Sequence, residues 1–248
     1  MSKLYITAKA YGSKTIITDC SFTNPLKVAR PIYHDNFTEV IQMTASAGLL
    51  EGDKQDIKID VGENAHLRFT SQSYTKIFKA GEYGAIQNVS INVHPRGYLM
   101  YLPCPVIPFA GSKCRCTTEI YLGKGSHFFC WDILSCGRGG MGERFAWNSY
   151  CTRMTVYLDS QPVFLDMQRY IPHIYSPAGI GFFEGSSHIG TAYIYGEDDI
   201  SIPENCNISK TKALEGTCVR CTGNSAEEIL GYFRQIKSNG GNSSWLVF

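Results

Sequence analysis

Residues 131–145 read WDILSCGRGGMGERF, a stretch that sets Asp132, Arg138 and Glu143 among four glycines. It follows directly from the apolar run HFFCWDIL (127–134). Three chemistries compete for it. A phosphate cradle needs GxxxxGK followed by Ser or Thr, with the lysine on the phosphates and a helix lending its first amides. GRGGMGERF has no lysine, and the AWNSYCTRMTV after it reads as a strand. A sharp turn between strands, with Arg138 and Glu143 pairing across it, needs only the conformational freedom of glycine. Asp132 is the exception within its own run, because a carboxylate in so apolar a strand must be paired or hydrated to be tolerated.

Metal ligation has two starting points, the CxxC of Cys218-Val219-Arg220-Cys221 and the CxC of Cys114-Arg115-Cys116. A closed structural zinc site needs a second pair at sensible spacing, and none exists. His34, His66, His94, His127, His173 and His188 are scattered singly, with no HxH or HExxH pattern. No tight metal site is therefore predicted, although a weak or transient one stays open. Isolated cysteines in strands act as small buried hydrophobes. The sequence contains no GxSxG elbow and no Cys–His motif for nucleophilic catalysis. Carboxylates such as Asp53, Asp132, Glu143 and Asp166 are plentiful, but spacing does not show that any two converge.

The elements that would position these groups are mostly strands. QDIKIDV (55–61) alternates with Ile57, Ile59 and Val61 on one face, and AHLRFT follows after the turn GEN, which reads as a hairpin. IQNVSINV (86–93) and GYLMYLP (97–103) repeat the pattern across the tight turn HPRG. One segment reads as helix: SAEEILGYFRQIKS (225–238), with Ser225 and Glu228 as a capping box and Asn239–Gly240 to end it. No repeat of fixed period stands out. The reading is a mainly β single domain, residues 1–248, with a helix near the C-terminus.

Composition agrees with a folded, strand-rich chain. Apolar residues make up 44% and charged residues 18% of 248, and the formal charge of +1 gives no global attraction to nucleic acid or acidic lipid. No apolar run reaches the roughly 18–20 residues of a membrane-spanning helix. MSKLYITAKAYGSKT lacks an apolar signal core, which predicts a cytoplasmic chain whose ten cysteines stay reduced.

Three further stretches stand out by composition: ASAGLLEGD (45–53), SYTKIFKAG (73–81), and LPCPVIPFAGS (102–112), which three prolines bar from a central strand and which reads as an exposed or edge-lying contact segment. Taken in order with the opening block, they resemble the urease accessory protein D family, called H in some bacteria. The matching motifs are the GGLxxGD-like turn at Gly48–Asp53, the TxxxxTK(I/V)(Y/F)-like strand end at Thr70–Phe78, the LPxPxIPFxG segment at Leu102–Gly111, and the W(D/E)xxxxGRxxxGExF block at Trp131–Phe145. The resemblance runs from about residue 15 to Asp166, and the tail GGNSSWLVF departs from the more basic ends of the family.

That resemblance implies a β-helical pile of stacked strands with a few helices, acting as a scaffold and not as an enzyme. It implies a dimeric place in a complex with accessory proteins F and G, the latter a GTPase, docked on apo-urease. Nickel would be transient cargo crossing a water-filled passage, with no tightly bound cofactor. Carried over by motif, the polar candidates for the passage are Asp53, Thr75, Lys76, Asp132, Arg138, Glu143 and Asp166. Lys76 would repel a cation, so its expected task is to hold a carboxylate. Asp132, Arg138 and Glu143 are expected to form one polar line at the end of an apolar wall. The alternatives are a β-rich enzyme using convergent carboxylates and a stand-alone metal-binding protein.

Overall fold

Stacked coils explain the periodic strands. The computed structural model describes residues 1–197, 199–204 and 207–238, so Cys206, Asn239–Gly240 and the tail 240–248 lie outside the described residues. The chain is mainly β, a solenoid-like winding of about four turns with one α-helix near the C-terminal end. Two sheets form its long walls. In the first, Ser2–Tyr11, Lys54–Val61, Ala85–Val93, Lys113–Leu122 and Ser149–Leu158 run parallel, and antiparallel strands Lys14–Phe22 and Gln161–Tyr170 close its two ends. In the second, Thr38–Thr44, His66–Ser71, Tyr98–Leu102 and His127–Ser135 are parallel, with antiparallel strands beyond them on both sides.

The turns GEN and HPRG are therefore not hairpin turns, and here the structure corrects the sequence reading. Lys54–Val61 and His66–Ser71 belong to different sheets, as do Ala85–Val93 and Tyr98–Leu102. Each turn is a corner that sends the chain from one wall to the other. Three corners stack with the same closing bond, from the Ala65 amide to Gly62 O (3.1 Å), from Gly97 to His94 (2.9 Å) and from Ser126 to Gly123 (3.1 Å). Each has a residue in the left-handed region, Asn64, Arg96 or Gly125. Locally a corner and a hairpin share their turn chemistry; only the partner strand differs.

Between the walls the inward side chains form ladders. Ile59, Ile91, Ile120 and Val156 sit in register on the first sheet, and Leu67, Leu99 and Phe128 on the second. All seven are essentially fully buried, each contributing about 1.5–3 kcal/mol of hydrophobic stabilisation. The rungs of the first ladder are 32, 29 and 36 residues apart in sequence. Unequal coil lengths are why no fixed period shows.

A third, short side of the coil is built by Thr75–Ile77 and Val106–Pro108, which pair in parallel, while Val106 also pairs with Leu134. The proline-rich segment is thus enclosed between neighbours and does not lie out at an edge. Its prolines lack N–H groups but use their carbonyls: Pro105 O accepts from the Thr75 amide (3.0 Å) and Pro103 O from Trp131 Nε1–H (2.9 Å).

The helix covers Ala226–Arg234 and ends four residues earlier than the sequence suggests, with Ile236 buried beyond it and Lys237–Ser238 paired to Ile200–Ser201. Ser225 Oγ accepts from the Glu228 amide (3.1 Å), whereas the Glu228 carboxylate reaches back past Ser225 to the Asn224 amide (2.7 Å). Ile229 and Phe233 face the outer side of the second sheet, with the Phe233 ring 5.9 Å from that of Trp131. Among the described residues no helix is long and apolar enough to cross a membrane.

Candidate functional site

Two apolar clusters fill the interior, one between the walls and one at the end that carries Leu49, Ile77, Trp147 and Tyr150. Where they meet, the packing leaves a cavity of about 100 Å³, room for several water molecules. Asp132 and Asp166 both line it, as do Tyr101, Tyr150, Thr118 and Thr191. Asp132 comes from the strand His127–Ser135, whose alternation points Trp131 and Ile133 to the helix side and Asp132 inward. Its carboxyl is pushed up to about 6, first by burial and then by the Asp166 charge, while the Ile133 amide opposes the shift.

Asp166 arrives from Gln161–Tyr170, the last strand of the other wall. It is buried and ion-paired to Arg220, and its Oδ2 accepts from Gln168 Nε2 (2.7 Å). Gln168 in turn donates to Thr191 Oγ1 (3.1 Å) and accepts from the Tyr170 hydroxyl (3.1 Å). Thr191 lies directly opposite Asp132 in the pairing of His127–Ser135 with His188–Tyr195. One polar chain therefore joins the two walls beside the cavity, and half-exposed Arg220 links it to the surface.

A second cavity, about 40 Å³, shares Gln42, Leu49, Ser71, Thr75 and Gln87 with the first and extends to Ser46, Tyr74 and Lys76. Thr75 thus lines both, and exposed Lys76 stands at the outer end of the second. Among the described residues no carboxylate lies within ion-pairing distance of Lys76; its carbonyl instead accepts from the Leu49 amide (2.8 Å). Gly48 is required at this contact, since a Cβ there would lie 2.3 Å from Lys76 O. Asp53 clasps its own turn, accepting from the Leu50 amide (2.8 Å), and does not line either cavity.

Arg138 and Glu143 are elsewhere, so the single polar line expected with Asp132 is not what forms. They make a two-pronged ion pair, Arg138 Nε to Glu143 Oε2 being 2.9 Å. Glu143 also accepts from the Ala110 amide (3.1 Å), and the Arg138 guanidinium lies 4.2 Å from the centre of the Phe109 ring. These contacts hold the Glu143 carboxyl below the usual carboxylate range, with the Arg138 hydrogen bond as the main cause. The glycine-rich turn, one turn of 3₁₀ helix at Gly139–Met141, is thus clamped onto the proline-rich segment. Gly137 permits the fold-back, because a Cβ would meet Glu143 O at 2.7 Å.

Cys218 and Cys221 do not converge on one site. Residues three apart on a strand face opposite ways, and Cys221 packs with the helix cluster, where burial pushes its thiol up to about 12. Cys114 and Cys116, two apart, both line the first cavity. Among the described residues no three His, Cys, Asp or Glu side chains gather into a group able to hold a metal ion. Sequence reasoning missed Thr191, Gln168 and Arg220. Arg220 carried a signal, as the charged residue inside CVRC, but its partner lies 54 residues away.

Comparison with known proteins places this architecture. A family model described as "UreD urease accessory protein" matches residues 2–238. A protein of Acetivibrio thermocellus named "Urease accessory protein UreD" is 34% identical over 96% of both chains. "Urease accessory protein UreH" of Helicobacter hepaticus is 28% identical over 93% of this chain and 94% of its own, and a UreH of Helicobacter pylori is 27% identical over 92% and 91%.

Proposed function

This chain belongs to the UreD urease accessory protein family, and we propose that it serves urease maturation as a non-catalytic scaffold that conducts Ni²⁺ to apo-urease. It acts in the cytoplasm within a complex that includes accessory proteins F and G, and GTP hydrolysis by G accompanies transfer. The observation that carries this reading is the cavity between the walls, with Asp132 and Asp166 set among apolar, hydroxyl, amide and thiol side chains and Arg153, and a second cavity adjoining it.

A divalent ion in transit needs oxygen donors that hold it in succession and release it, because a full ligand set would retain the cargo. Two carboxylates among tyrosine and threonine hydroxyls, with water, meet that need. The path supported by the geometry runs from the Lys76 end past Thr75 to Asp132 and Asp166. At Asp166 the ion competes with Arg220 for the carboxylate. The Arg138–Glu143 clamp contributes by fixing the proline-rich side of the coil and takes no part in ligation.

The test is reconstitution of apo-urease with the accessory complex and Ni²⁺, reading nickel per urease active site. Asp132→Ala should assemble into the complex and yet deliver little nickel. Full delivery by an assembled Asp132→Ala complex would rule out the interior route.

A further inference from the structure

The motif Cys114-Arg115-Cys116 belongs neither to the clamp nor to the carboxylate route. On a strand, residues two apart share a face, and here that face borders the first cavity, with the two Sγ atoms 3.7 Å apart. Extended backbone sets such Cα atoms about 6.6 Å apart, at the upper limit of what a disulfide spans, so the strand favours the dithiol. Two thiolate–metal bonds of about 2.3 Å placed end to end span about 4.6 Å. The sulfurs would have to part by less than about 1 Å, a side-chain adjustment into space already open. A second sulfur pair borders the same cavity: Cys130 Sγ and Met154 Sδ, 3.7 Å apart.

We propose that Cys114 and Cys116 form a two-coordinate site for a thiophilic monovalent cation of the Cu(I) class, with the Cys130 and Met154 sulfurs as adjacent soft donors. Thiolate and thioether ligands select such soft ions, whereas the carboxylates and hydroxyls of the same cavity suit harder divalent cations. Binding replaces the thiol protons, which pass to solvent, and no electron is transferred. The site stands on the sulfur geometry alone and does not depend on the nickel route.

The test uses the purified full chain, reduced and anaerobic, titrated with Cu(I) buffered by a chromophoric Cu(I) chelator. Wild type should retain one Cu(I) per chain. Cys116→Ser should weaken retention at least about tenfold, while Cys116→Met, which keeps a soft donor, should preserve it. Cys20→Ser removes an exposed thiol that does not line the cavity and should change nothing. Equal retention by wild type and a folded Cys116→Ser chain overturns the proposal, as does loss of the ion from Cys20→Ser. Should Cys116→Ser fail to fold, loss of Cu(I) from folded Cys116→Met overturns it equally. Isolation of the wild-type chain under reducing conditions with Cys114 and Cys116 already joined as a disulfide does the same.

Discussion

Asp132 and Glu143 stand in one sequence block, eleven residues apart, and do opposite things with a negative charge. Glu143 has its charge met by the Arg138 guanidinium and the Ala110 amide, and its carboxyl is held low. Asp132 faces a cavity with a second carboxylate nearby, and its carboxyl is pushed up to about 6. A carboxylate met by a guanidinium stiffens a turn; one raised by burial and a second carboxylate favours a cation or a proton. The comparison teaches that the acidic positions of such a block cannot be assigned one shared task from their spacing.

The sharpest break of this contrast is functional. Asp132→Ala should lower nickel transfer in the reconstituted complex by roughly 10- to 100-fold, while Glu143→Gln should leave it within about threefold once assembly is normalised. Equal losses would merge the two regions into one.

Stability should run the other way. The Asp132 carboxyl titrates near 6 in the folded chain and near 3.9 when unfolded. The folded state therefore binds its proton more tightly, and stability falls as pH rises from about 4 to about 6, with the full penalty present above that. Asp132→Asn should accordingly raise stability at neutral pH by about 1–3 kcal/mol. The gain should vanish near pH 4, as read by urea unfolding at the two pH values.

Gly137→Ala tests the clamp. Its Cβ would press on Glu143 O at a residue with positive φ, which predicts a loss of about 1–3 kcal/mol without a change in the pH profile attributed to Asp132. The smallest effect belongs to Glu143→Gln, a modest drop in Tm that high salt should erase, because the pair it breaks is part-exposed.

What could be read from the sequence was whatever depended on neighbours along the chain. Asp132 stood out as a charge inside HFFCWDIL, Arg138 and Glu143 as partners five apart, and Ser225 as the start of the helix. What depended on the wall opposite was hidden. Asp166 meets Asp132 only because the last strand of one sheet and the strand His127–Ser135 of the other border the same gap. The corners looked like hairpins because Asn64 and Arg96 supply the same left-handed residue that either turn requires. The helix stopped early because Lys237 and Ser238 found a strand partner in Ile200–Ser201, which local propensity does not reveal.

A stack of parallel rungs is a template that any further rung of like direction could extend, which is how filaments begin. In the first sheet both boundary strands, Lys14–Phe22 and Gln161–Tyr170, run against the stack, and Pro162 near the start of one has no amide to offer. A coil of like direction meets reversed polarity at either end of that sheet, which disfavours continuing the parallel stack there.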